Sequence, residues 1–104
     1  MTTSMKLEKE MVKAEHDKII KKLASRDIWE QLHQVQEECA ELIVAISHMR
    51  RKKGENSYDN VCREVADVRI MVDQLGYILD GKLIDKIVGE KLTRAKERLE
   101  NGHL

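Results

Sequence analysis

"EECAELIVAI", residues 37 to 46, decides how this chain is read, because it fuses three carboxylates to one of its most apolar runs. A buried helix avoids acids, and an exposed one avoids Leu-Ile-Val-Ala-Ile. At about 100° per residue of helix, Glu38 and Glu41 fall within about 60° of each other, and Leu42 lies only about 40° from Glu38. These two acids therefore border the apolar stripe instead of opposing it. Glu37 is rotated about 100° from Glu38, away from the stripe.

The stripe extends in both directions. Ile28, Leu32, Val35, Cys39, Leu42, Ile46 and Met49 step by four and three, which predicts a helix over about 28–50. Asp27 supplies its N-cap, and Glu30, three residues on, completes a capping box. The stretch "RRKKGENSYD" ends it. Arg50, Arg51, Lys52 and Lys53 read as a solvated loop, since no aromatics interleave them as a nucleic-acid surface would require. A third helix starts near Ser57 to Asp59 and runs to about 79, with Val61, Val65, Val68, Val72, Leu75 and Leu79 as its stripe. After the turn "LDGK", a last helix over about 83–100 carries Ile84, Ile87, Val88, Leu92, Ala95 and Leu99. A first helix over about 4–24 has irregular apolar points (Leu7, Met11, Ile19, Ile20, Leu23), so it packs only partly or packs on a partner chain.

Composition agrees. Proline and phenylalanine are absent, and Leu, Ile, Val, Ala, Glu, Lys and Arg predominate, which favours helix throughout. The expected architecture is one all-α domain spanning residues 1–104, a four-helix-bundle type of subunit. Its core lies at about 28–100, with an N-terminal helix within 1–24. A chain of 104 residues builds a modest core, so an oligomer is expected. With 19 basic and 19 acidic residues the formal charge is zero, and no global field favours nucleic acid or a membrane surface. The first twenty residues are charged throughout, unlike a signal peptide, and the apolar runs are too short to cross a bilayer. The expectation is a cytoplasmic protein. Cys39 and Cys62 form no CxxC pair and read as reduced core thiols.

The third helix repeats the opening arrangement with "EVAD", residues 64 to 67. Glu64 and Asp67 share a face with Val68, Met71 and Leu75, while Arg69 and Asp73 lie opposite. Either acid pair alone would read as rim residues paired with Lys or Arg. Two such pairs, on the apolar faces of helices joined by a short loop, need compensation, because burying carboxylates costs several kcal/mol per ion. A divalent cation provides it, and all-oxygen ligation suits Mg2+, with Mn2+ as a substitute. A di-iron bundle would place His three residues after Glu, where this chain has Glu41 and Asp67. His33 and His48 point away from the acids and read as rim residues. No His/Cys cluster has zinc-ligand spacing.

"EECAE", followed after 22 residues by "EVAD", resembles the EExxE…ExxD signature of the MazG-like, all-α nucleoside triphosphate pyrophosphohydrolases. The resemblance covers residues 28 to 100. It implies hydrolysis of a nucleoside triphosphate between the α and β phosphates, giving the monophosphate and pyrophosphate. It further implies Glu38, Glu41, Glu64 and Asp67 as Mg2+ ligands. Glu37 would be an outer group, an additional ligand or the base for the attacking water, so Glu37 and Glu38 are the catalytic candidates. It implies a homodimer or homotetramer with sites where subunits meet. In such proteins a Lys/Arg set after the ExxD helix contacts phosphates. Lys91, Arg94 and Arg98, at i, i+3 and i+7 beside the last helix's stripe, are the candidates. The alternative is a solvated face with favourable charges near a helix C-terminus.

The base-binding side is the least defined. Trp29, the only tryptophan, could stack on a base or lie in a core or interface, and Gln34, Asn56 and Asn60 could hydrogen-bond a base or serve turns and caps. Phosphoribosyl-ATP pyrophosphohydrolase resembles the same motif arrangement. Those enzymes show a Tyr-His pair shortly after the acidic ExxD, whereas here Asp67 is followed by "VRIM". From a different class, the chain could be a helical oligomerisation or adaptor module whose acids only pair with basic side chains.

Overall fold

The computed structural model describes residues 3–51 and 54–102. Lys52 and Lys53, expected in a solvated loop, lie outside the described residues. The described residues form four helices: α1 (Thr3–Leu23), α2 (Ile28–Arg50), α3 (Ser57–Ile78) and α4 (Gly81–Glu100). No strand occurs among the described residues.

The turns follow from local chemistry. At the end of α1, Ser25 Oγ donates to the Lys22 carbonyl (2.6 Å) and Arg26 Nε to the Leu23 carbonyl (3.1 Å). Gln31 then reaches back from α2, its Nε2 donating to the carbonyls of Ala24 (3.1 Å) and Arg26 (2.9 Å). Asp27 caps α2 by accepting from the N–H groups of Trp29 (2.9 Å) and Glu30 (3.1 Å). The reciprocal half of the expected capping box does not form among the described residues, so Asp27 caps the helix alone. Between α2 and α3 the chain turns through Gly54 at φ +86°, in the left-handed region that glycine adopts without strain. The helix α4 begins two residues before the expected 83. Asp80 caps it by accepting from Leu83 N–H (3.0 Å). Gly81 occupies its first turn because a Cβ there would stand 2.6 Å from the Gly76 carbonyl oxygen.

The helices α2 and α3 form an antiparallel hairpin along most of their length. Both α1 and α4 pack against α3 and neither packs against α2. The result is an open arrangement with a radius of gyration of 17.4 Å, against about 13 Å for a compact domain of this length. Among the described residues only Ala45 and Met71 are buried apolar residues, beside two buried polar ones, Gln31 and Gln74.

The expected apolar stripes are therefore only partly inside. Leu32, Val35, Leu42, Val61, Val68 and Leu75 are half-buried, but Ile46, Met49, Val65, Val72 and Leu79 are exposed. The innermost line of α2 is instead the seven-residue series Gln31, Glu38, Ala45, which puts Glu38 on the seam with α3. Cys39 is half-buried and Cys62 is exposed, both as free thiols; Cys62 is thus not a core thiol in this subunit. In α1, Ile20 and Leu23 are half-buried while Leu7, Met11 and Ile19 are exposed, as its irregular spacing suggests. No helix among the described residues is long and apolar enough to cross a membrane.

Candidate metal centre

The α2–α3 seam is polar where it should be driest. Glu38 and Glu64 are half-buried, and one ligand oxygen from each of Glu38, Glu41 and Glu64 lies within 4.8 Å of the others. Their helices hold them there by register: Glu38 and Glu41 sit one turn apart on α2, and Glu64 faces them from α3. No Lys or Arg forms an ion pair with any of the three among the described residues; the ion pairs there are His33–Glu37, Arg63–Asp59 and Lys96–Glu100. The Oε2 atoms of Glu38 and Glu64 are buried without a hydrogen-bond partner among the described residues.

Electrostatics follow from that geometry. Withdrawal from water pushes the Glu38 carboxyl above its ordinary value, and the charges of Glu41, Asp67 and Glu64 push it further. Glu64 is raised in the same way, by loss of solvent and then by Glu41 and Asp67. Carboxylates that repel one another without a counter-charge form a site that gains from a cation. The donor set is all oxygen, which suits a hard divalent ion.

The remaining site candidates are placed as follows. Asp67 is exposed and stands outside the trio, close enough for its charge to act on Glu38 and Glu64. Glu37 is on the outer face, its Oε1 2.9 Å from His33 Nε2. Trp29 is 74% exposed at the start of α2 and lines neither cavity beside the acids. Lys91, Arg94 and Arg98 are exposed on α4, which packs on α3 and not on α2; among the described residues none of them forms an ion pair with the acids, and none lines either cavity beside them.

Two cavities flank the acid cluster. The larger, about 500 Å3, has Glu41 and Glu64 in its wall together with His48, Ser57 and Asn60. The smaller, about 250 Å3, has Glu38 and Asp67 in its wall together with Arg26, Gln34 and Gln74. Asn60 and Gln34, both expected on the base-binding side, thus lie on opposite sides of the acids.

Sequence reasoning missed Gln31 and Gln74, which are 1% and 2% exposed, each with an unpartnered Oε1. A signal for them exists. Gln31 precedes Glu38 by seven residues and Gln74 follows Asp67 by seven, so each shares a helix face with an acid two turns away. Compared with protein-family profiles, curated proteins and solved structures, the chain matches none of them.

Proposed function

We propose that this chain is a Mg2+-dependent nucleoside triphosphate pyrophosphohydrolase that cleaves between the α and β phosphates. The convergence of Glu38, Glu41 and Glu64 on one point of the helix seam, with no Lys or Arg paired to them, supports this reading. An adaptor whose acids serve only as ion-pair partners would pair them with cations. Glu38, Glu41 and Glu64 would hold the ion, with Asp67 at the edge to complete the set. A Mg2+ ion held by these residues would supply charge neutralisation of phosphate oxygens and activation of a water. The two unpartnered carboxylate oxygens fit that role, because each has a buried lone pair that no described residue satisfies.

The chain's own residues then position the substrate. The cavities on either side of the acids provide room for a molecule with a charged middle and two distinct ends. Glu37, held toward His33, is left out of the proposed catalytic set. Phosphate donors from α4 would come most simply from a second copy, since Lys91, Arg94 and Arg98 line neither cavity beside the acids. The open shape and the exposed Leu83, Val88, Leu92 and Leu99 on the same helix support a homodimer or homotetramer. Reduced thiols and a nucleotide substrate fit a cytoplasmic setting.

Incubation with Mg2+ and a panel of nucleoside triphosphates, assayed for pyrophosphate, tests the proposal. Release of pyrophosphate from at least one triphosphate, abolished by Glu41→Gln and by Glu64→Gln, is expected. Cleavage of none, or unchanged turnover in both variants, refutes it.

A further inference from the structure

We propose that Arg26 is a phosphate clamp within the subunit: its guanidinium, held at the turn between α1 and α2, takes oxygens of the same polyphosphate whose other oxygens meet the ion at Glu38. The inference rests on the pyrophosphohydrolase reading above and adds a donor that needs no second copy. Arg26 and Glu38 stand in the wall of one cavity of about 250 Å3, together with Asp67. A guanidinium that shares a cavity with two carboxylates has strong fork-shaped partners available. Yet Arg26 forms no ion pair among the described residues.

Its neighbours hold it apart. Arg26 Nε donates to the Leu23 carbonyl at 3.1 Å and Nη2 to Gln34 Oε1 at 3.3 Å, and both Leu23 and Gln34 line the same cavity. The backbone is anchored as well. The Arg26 carbonyl accepts from Gln31 Nε2 at 2.9 Å, and Gln31 is 1% exposed. Two of the five guanidinium N–H donors are used in this way, and the other three make no hydrogen bond to a described residue. Gln34 precedes Glu38 by four residues, so the guanidinium is tied to the face of α2 about one turn before Glu38.

This arrangement keeps opposite charges from cancelling. Carboxylates left unpaired suit a divalent cation, and a guanidinium left unpaired suits an oxyanion, which its planar fork grips with two hydrogen bonds. With an ion on the acids, the cavity has positive charge at two places, and a chain of negative oxygens satisfies both. A polyphosphate has that form. The wall of the larger cavity holds no Lys or Arg among the described residues, so the phosphates belong on the Arg26 side. Capping the α1 carbonyls, the competing role for Arg26, needs Nε alone.

Isothermal titration of inorganic tripolyphosphate in Mg2+ tests this on the wild type, Arg26→Gln, Arg26→Lys and Lys22→Gln. Lys22 is exposed in the last turn of α1 and lines neither cavity, so its variant removes a like charge from the same neighbourhood. Arg26→Gln should weaken tripolyphosphate binding at least about tenfold, the loss expected of charge-assisted hydrogen bonds. Arg26→Lys keeps the charge and loses the fork. It should bind more weakly than the wild type and more tightly than Arg26→Gln, and it carries the test if Arg26→Gln does not fold. Lys22→Gln should bind as the wild type does, and the Mg2+-induced thermal shift should persist in every variant. A residue that only caps α1 would lower Tm and leave the affinity in place. Unchanged affinity in both Arg26 variants, or an equal loss in Lys22→Gln, overturns the clamp alone. A wild type that binds no tripolyphosphate in Mg2+ overturns the hydrolase reading and this inference with it.

Discussion

Replacing Glu38 by Gln should stabilise the metal-free protein and cost the metal-bound one. In the absence of a cation, Glu38 stands on the α2–α3 seam with its Oε2 unpartnered and with Glu41 and Glu64 oxygens within 4.8 Å. Two unit charges at that separation repel by about 0.9 kcal/mol at the dielectric of water and by about 3.5 kcal/mol at an effective value of 20. Glu41 is exposed, so solvent screening holds the Glu38–Glu41 repulsion near the lower figure. The Glu38→Gln substitution removes this repulsion, sacrifices no hydrogen bond to Oε2, and gains an N–H that can donate to Glu41. A gain of about 1 kcal/mol raises Tm by about 4–8 °C in a domain of this size.

Mg2+ should reverse the order. An ion at 100 times its Kd stabilises the wild type by about 2.7 kcal/mol, more than the substitution returns, and the variant lacks one of the three clustered carboxylates. The assay is thermal unfolding of both proteins in EDTA and across a Mg2+ titration, with NaCl at matched ionic strength. Glu37→Gln, on the outer face beside His33, is the control and should respond to Mg2+ as the wild type does. The two melting curves should change order between EDTA and saturating Mg2+. A lower Tm for Glu38→Gln in EDTA, or an equal Mg2+ shift in both proteins, refutes the reasoning.

The raised carboxyls of Glu38 and Glu64 fix a pH dependence. A folded-state acid raised above its unfolded value binds protons more readily when folded, so this contribution to stability grows as pH falls through the raised value. It levels off below the ordinary value of 4.5. The difference in unfolding free energy between wild type and Glu38→Gln, measured in EDTA from neutral to acid pH, should shrink over that window, while Mg2+ affinity should fall. A difference that widens on acidification contradicts the assignment. Ile87→Glu, on the exposed apolar face of α4, should lower the molar mass measured by light scattering; a wild type that is monomeric at every concentration removes the second copy from the proposal. Asp27→Ala removes the α2 cap that serves two N–H groups and should cost about 1 kcal/mol, read by urea unfolding, with no change in the Mg2+ response.

Helix placement was legible because it rests on signals a few residues long. The four-and-three spacing and Asp27 point to 28–50, the observed Ile28–Arg50. The start of α4 is expected two residues late because the close approach of Gly81 to the Gly76 carbonyl depends on the angle between two helices, which no local pattern encodes. The acid trio was legible for a similar reason. Glu38 with Glu41 is an intrahelical spacing, and a short loop after α2 returns Glu64 to face them. Lys91, Arg94 and Arg98 share a spacing too, but a shared helix face says nothing of where that helix docks, and α4 docks on α3 alone.

What sequence patterning read only in part was the seam. Apolar periodicity puts Ile46, Met49, Val65 and Val72 on the same packing stripes as the half-buried Leu32, Leu42, Val61 and Val68, yet these four are exposed while Gln31 and Gln74 are buried. Periodicity reports which residues belong away from water in the final assembly, and it cannot tell an intrachain contact from an interchain one. Unpaired amides and carboxylates on the inside require polar partners; Ile, Val and Leu on the outside require apolar ones. A cation and nucleotide held within the seam, and a second copy against the outer faces, would meet both requirements. The Mg2+ titration and the mass measurement test the two halves separately. If Mg2+ stabilises a protein that stays monomeric, the polar seam is accounted for and the exposed apolar faces are not.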